Sequence, residues 1–263
     1  MKLAQMLLVL PRILDRQTGR EMNNTQWSNL VEAFAAMGGE ELFLGGAEPL
    51  AFPGLPLLIR RGQKLKIPRV TVYLSGAFLE AQVVRQLTAS GVHLLVGLSA
   101  MNPAEHDALH GAGAHARAMA ALDIFRSAGL QERLGILTTV TRRTMSDLPA
   151  LANLAREQGL SRLLWSTVPD GGWPSAGLAA MRLSAEERAE LRAVAAALEA
   201  ESTRTQVAPL DGSVENPALG PSRLLRVNPW GELTWGLDGL GQPLGNLKWA
   251  GLAELIARGT EIA

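Results

Sequence analysis

One unit recurs along this chain and constrains its fold more than any other feature. It is an apolar run, a loop, an amphipathic helical stretch, a glycine, and then the next apolar run. The runs are residues 3–10, 41–44, 70–74, 93–98, 134–140 and 162–167. They are short and apolar at successive positions, as parallel strands covered on both faces must be. Between them, helical periodicity covers 25–37, 53–61, 80–90, 115–128 and 145–158. Gly38, Gly91, Gly129 and Gly159 stand just past four of these stretches, where a left-handed residue ends a helix at little cost. A further helix is read over 185–199, with Ser184 and Glu187 spaced as a capping box. Six βα units joined by right-handed crossovers predict an α/β fold, a partial (βα)6 TIM-like barrel. A complete eight-stranded barrel, using 205–208 and 224–227 as its last strands, is the alternative.

After residue 200 the texture changes. Residues 201–222 are polar and rich in Pro and Gly, and are read as a linker or covering loop between a barrel at 1–200 and a small cap at 223–263. In the cap, 224–227 and 232–235 flank Asn228-Pro229-Trp230-Gly231 and read as a hairpin, with a short helix over 252–258.

Composition narrows the partners. Lys and Arg balance Asp and Glu at 25 each, which argues against a nucleic-acid or acidic-membrane partner. There is no cysteine, hence no disulfide, thiolate ligand or thiol nucleophile within these residues. The opening run 3–10 has the look of a secretory apolar segment. It leads into Pro11, Arg12, Asp15 and Arg16 without a small-residue cleavage site, so it is read as a buried first strand. No run is long enough to span a membrane, and a cytoplasmic location is expected.

In such a barrel, chemistry gathers at the C-terminal ends of the strands. Here those ends are Gly45-Gly46-Ala47-Glu48-Pro49-Leu50, Ser75-Gly76, Gly97-Leu98-Ser99, Thr139-Val140-Thr141-Arg142 and Val168-Pro169-Asp170-Gly171-Gly172. They are small and polar, as a ligand-lined mouth needs and as βα loops generally are. Glu48 and Asp170 are the acids best placed there for proton transfer.

These segments resemble the radical SAM family. Gly45-Gly46-Ala47-Glu48-Pro49 resembles its Gly-Gly-Glu-Pro motif with Ala47 added, which in the family holds the amino end of S-adenosylmethionine. Tyr73-Leu74-Ser75-Gly76 stands where the family shows Thr-Asn-Gly, and Val96-Gly97-Leu98-Ser99 where it shows Val-Ser-Leu-Asp. His106-Asp107-Ala108-Leu109-His110-Gly111 resembles its His-x-x-Leu-Arg-Gly stretch, and 137–142 its fifth strand. Residues 227–234 with Leu244-Gly245-Asn246-Leu247 resemble the start of a SPASM region. The resemblance implies that Gly45, Gly46, Ala47, Glu48, Pro49, Ser75, Ser99, Thr139 and Arg142 line a cofactor site.

The departures weigh more. The family's Cys-x-x-x-Cys-x-x-Cys belongs in the loop at 11–24, which holds no Cys and no His, only Asp15 and Glu21 as carboxylates. Iron–sulfur clusters are held by thiolates, with occasional histidine. The resemblance therefore implies a chain without the iron–sulfur cluster, with weak S-adenosylmethionine binding at most. His106 and His110, four apart and followed by His115, have a spacing that zinc can use when a third ligand converges. Pro103 and the small residues 111–113 instead suggest a solvated loop, so no metal site is assigned. Four of the six tryptophans, Trp173, Trp230, Trp235 and Trp249, follow Gly172. Two readings stay open for them, an interface or the packing of the cap.

Two functions are expected from different classes. The first is a non-catalytic pseudoenzyme, the partner or substrate-binding subunit of a peptide- or cofactor-maturing radical SAM system. Its partners would be an active radical SAM paralogue, a precursor peptide, or both. The second is a cluster-independent enzyme that uses the strand ends, with S-adenosylmethionine, for non-radical chemistry. The first is favoured because the sequence shows no convincing nucleophile–base pair at the strand ends.

Overall fold

The computed structural model describes residues 5–11, 21–46, 48–168, 176–202, 204–210, 224–236 and 243–260. In chain order its elements begin β1 (Gln5–Leu10), α1 (Asn24–Ala36), β2 (Glu41–Gly46), α2 (Leu55–Lys64), β3 (Arg69–Leu74) and α3 (Ala81–Ser90). Next come β4 (His93–Gly97), α4 (Pro103–His110), α5 (Ala114–Ser127), β5 (Leu134–Val140), α6 (Leu148–Glu157) and β6 (Arg162–Thr167). The chain continues with α7 (Ala176–Ala179), α8 (Ala185–Ala200), β7 (Gln206–Pro209), β8 (Leu224–Val227), β9 (Glu232–Trp235), β10 (Gly245–Asn246) and a final helix, α9 (Leu252–Thr260). They gather into two compact units: Met1–Tyr73 with Ser222–Ala263, and Leu74–Pro221.

The first unit is built on β1. It pairs in parallel with β2 from Gln5↔Glu41 to Leu10↔Gly46, and β2 pairs in parallel with β3. Alternate β1 side chains Met6, Leu8 and Leu10 are buried, while Glu41 through Gly45 of β2 are all buried, as a central strand requires. Helix α1 starts at a capping box: the Asn23 side chain accepts from the Gln26 N–H, and the Gln26 side chain accepts from the Asn23 N–H, each at 2.9 Å. It buries Trp27, Leu30, Val31 and Phe34, spaced three and four apart on one face. The hairpin 224–235 forms as expected. Its first strand does more than cap, because β8 runs parallel to β1 (Gln5↔Leu224) and carries β9 antiparallel at its outer edge.

The second unit is a parallel array in the order β4-β5-β6-β7, each strand paired with the next. Strand β7 lies inside the stretch expected as a linker. All four expected helix-ending glycines, Gly38, Gly91, Gly129 and Gly159, have positive φ, between 68° and 77°. The capping box at α8 is present, with Ser184 and Glu187 in their reciprocal roles. One local expectation fails. Residues 103–110 are a helix, α4, and not a solvated loop. Asn102 accepts from the N–H groups of Ala104 and Glu105, and Pro103 occupies the first turn, where its missing N–H costs nothing. Among the described residues no helix is long and apolar enough to cross a membrane.

Candidate functional site

In the first unit the candidate residues sit at the end of β2. Gly46 takes φ 123°, and a Cβ there would lie 2.7 Å from the Leu10 carbonyl oxygen. A Cβ on Gly45 would lie 2.9 Å from Leu7 Cδ1. The glycine pair thus lets β2 close on β1 and then turn. Pro49 opens a short 3-10 turn (Pro49–Ala51), and the Glu48 carboxylate caps it by accepting from the Leu50 N–H at 3.2 Å. Burial first, and the Glu48 charge second, push the Tyr73 hydroxyl up to about 12, so it stays protonated at neutral pH. Ala47 lies outside the described residues.

In the second unit Ser99, at the end of β4, is the hub. Its Oγ lies 2.8 Å from His110 Nε2 and accepts from the Thr139 N–H at 3.1 Å, while its own N–H donates to His106 Nδ1 at 3.0 Å. That last bond puts the proton of a neutral His106 on Nε2. The His106 ring is buried and lies 4.5 Å from that of His110 and 5.7 Å from that of His115, centroid to centroid. Burial, and then the neighbouring imidazoles, lower His106 to about 4. His110 is lowered too, chiefly by desolvation. Ser99 and His110 are therefore a hydroxyl–imidazole pair of the geometry a nucleophile and base require. The sequence had suggested no such pair. Ser99 is only 1% exposed, so its oxygen faces protein.

The remaining candidates in this unit are committed to neighbours. Arg142 pairs with Glu187 at 3.0 Å, and Glu187 also completes the α8 capping box. Asp147 accepts from the Met101 N–H at 2.8 Å, and Arg143 pairs with Glu105 at 2.7 Å. Together with Thr139 to Ser99, these bonds tie the loop after β4 to the loop after β5. Ser75 accepts from the Ala77 N–H at 3.2 Å and shapes the loop after β3. Asp170 and Trp173 lie outside the described residues, as do Arg12, Asp15 and Arg16 of the loop after β1.

Comparison with known proteins fits this architecture. The Radical SAM superfamily model matches residues 11–155. The chain belongs to the Radical SAM superfamily. It is 29% identical over 141 residues to the AdoMet-dependent heme synthase of Methanosarcina barkeri, covering 53% of this chain and 40% of that protein. It is 27% identical to the PqqA peptide cyclase of Streptomyces rochei, covering 65% and 47%, and 30% identical to that of Ruegeria pomeroyi, covering 68% and 48%. The chain thus spans about half or less of the length of these relatives. Among solved structures, Streptococcus suis SuiB bound to S-adenosylmethionine superposes with a TM-score of 0.70 at 14% identity, over 97% of this chain and 66% of that one. The enzyme anSMEcpe with bound AdoMet superposes with a TM-score of 0.64 at 15% identity, over 98% and 82%. These likenesses show the fold class, an α/β architecture of the TIM-like kind with a mostly parallel sheet.

The donor set does not fit an iron–sulfur cluster. The chain has no thiol, and among the described residues no group of three or more His, Asp or Glu could hold a metal ion. Anaerobic reconstitution with iron and sulfide is expected to give no charge-transfer absorption. Stoichiometric iron with a cluster EPR signal would overturn that. For S-adenosylmethionine, the backbone of the Gly45–Pro49 turn keeps the shape the resemblance implies. The side chains of Ser99, Glu187-bound Arg142 and the capping Glu48 are already engaged.

Proposed function

We propose that this chain is a non-catalytic member of the Radical SAM superfamily that works as the partner or substrate-binding subunit of a peptide-modifying radical SAM system. One observation carries the reading: the region matched by the family model contains no cysteine, so the segment after β1 has no thiolate to offer a cluster. The mutual pairing of polar groups after β4 and β5 supports it, since those side chains hold loops to each other. The relatives point to peptides. Several are PqqA peptide cyclases, and SuiB has been solved with its precursor peptide SuiA. The partner would be a cysteine-bearing radical SAM paralogue, its precursor peptide, or both. S-adenosylmethionine held at Gly45–Pro49 would supply, in an intact system, the carbon–sulfur bond that is broken. Here Gly45, Gly46 and Pro49 would only orient its amino end.

A specific observation favours a second reading. The Ser99–His110 pair, 2.8 Å apart, is the kind of couple a cluster-independent enzyme would use. The burial of Ser99 counts against it, because a nucleophile must meet its substrate.

The test is capture of the partner from the native host. The tryptophans divide here: Trp235 is half-buried, whereas Trp230 is 44% and Trp249 86% exposed. Asn246 links these two, since its Nδ2 donates to the Trp230 carbonyl and its own carbonyl accepts from the Trp249 N–H. Truncating an interface aromatic typically costs about 2 kcal/mol. Trp230→Ala with Trp249→Ala is expected to weaken capture at least about tenfold, or ~1.4 kcal/mol, with an unchanged circular dichroism spectrum. Capture at wild-type strength by the folded double variant would remove this face from the proposal. A chain that retains no radical SAM protein or peptide in any form would sink the partner reading.

A further inference from the structure

The loop after β3 holds an aromatic that is costly where it stands. Phe78 has φ 59°, a left-handed backbone that bulky side chains avoid, and its side chain is 61% exposed. The free chain gains little from this arrangement, since apolar surface faces water and the backbone is strained. Strain of this kind persists only where the surroundings enforce it. Here they do so on both sides. Gly76, at φ 85°, is pressed against the first turn of α5, and a Cβ there would lie 2.5 Å from the Arg117 carbonyl oxygen. Ser75 Oγ accepts from the Ala77 N–H, and the Glu80 N–H closes back on the Phe78 carbonyl at 3.0 Å. The backbone therefore presents the ring in a fixed pose at the C-terminal end of a strand, where this fold class places its ligands.

We propose that Phe78 is a specificity-determining contact that receives a flat apolar side chain of a bound peptide. The peptide class rests on the functional reading above; the fixed, exposed ring is independent of it. An aromatic face prefers an offset-stacked or edge-on aromatic partner, and a pre-set pose reduces the ordering cost of binding.

The experiment uses the full chain with 4-fluorophenylalanine at its five phenylalanines and reads fluorine NMR. The Phe78 resonance is the one lost in Phe78→Leu. The probe is a blocked heptapeptide of Gly and Ser with one central Trp, and the control carries Ser in its place. The Phe78 resonance should move with the Trp peptide and stay still with the control. Phe78→Gly should weaken Trp-peptide binding at least about fivefold, while Tm holds or rises by up to about 3 °C as strain is released. An unmoved resonance, an equal response to both peptides, or wild-type binding by Phe78→Gly would overturn the proposal. So would a fall in Tm of more than about 3 °C, which would make the ring a packing element. Because the assay needs no partner protein, its failure leaves the partner-capture result to stand or fall alone.

Discussion

Gly46→Ala should destabilise the chain by about 3 kcal/mol or more, through two costs that add at one atom. The residue has φ 123°, which only glycine adopts readily, and the new methyl would sit 2.7 Å from the Leu10 carbonyl oxygen and 3.1 Å from the Leu10 nitrogen. Both obstacles are backbone of β1, which is hydrogen-bonded to β2 on one side and β8 on the other, so neither can yield cheaply. Gly45→Ala is the natural comparison. Its methyl would meet Leu7 Cδ1 at 2.9 Å, the end of a side chain that can rotate away, and its φ is ordinary. A cost of about 1 kcal/mol is expected there. For a chain of this size that separates the variants by about 5 °C in Tm, readable by thermal or urea unfolding. Equal stability of the two would mean that β2 leaves β1 before Gly46. The same pair separates two roles of the motif. A folded Gly45→Ala chain can be assayed for S-adenosylmethionine, whereas Gly46 answers to packing first.

Much of this architecture was legible because its signals are local. The βα units, the four left-handed glycines and the Ser184–Glu187 box each depend on residues within one turn or one strand, and all were found where periodicity put them. The hairpin at 224–235 was likewise visible from its turn. That its first strand would pair in parallel with β1 was not, because the partner Gln5 lies more than two hundred residues away and no local pattern encodes it. Helix α4 was missed for a different reason. Pro103 was weighed as a helix breaker, yet directly after Asn102 it is an N-terminal signal, with a capping side chain and a residue that needs no N–H partner. With α4 misread, His106 and His110 were taken as solvent-facing. Their place around Ser99 followed only once the helix turned both rings to one side. Arg142 shows the limit of motif matching. It stands where the family's fifth strand ends, but its guanidinium holds Glu187.

That histidine cluster makes the fold acid-sensitive in a defined window. Buried His106 accepts the Ser99 N–H through Nδ1, an arrangement only the neutral ring can keep. Its folded pKa is lowered to about 4 from 6.5, by burial first and then by His110 and His115 beside it. Asp107 opposes the shift, while Arg117 reinforces it weakly. Between those two values the unfolded chain binds more protons than the folded one, so stability rises with pH across the window and is lost as pH falls from about 6.5 towards 4. At pH ~4.5 this loss should be about 2 kcal/mol relative to neutrality. His110, shifted the same way, adds to it. Asp107, whose carboxyl is held low by the N–H groups of His115 and Gly113, loses its contribution only at lower pH. His106→Gln keeps an acceptor for the Ser99 N–H and removes the titrating ring. Urea unfolding at pH ~7 and ~4.5 should then show an acid loss smaller by about 2 kcal/mol in the variant. Identical acid losses in the two proteins would mean that His106 is reached by water in the folded state. The same result would remove the reason His110 stays neutral beside Ser99, and with it the strongest geometric support for chemistry by this chain alone.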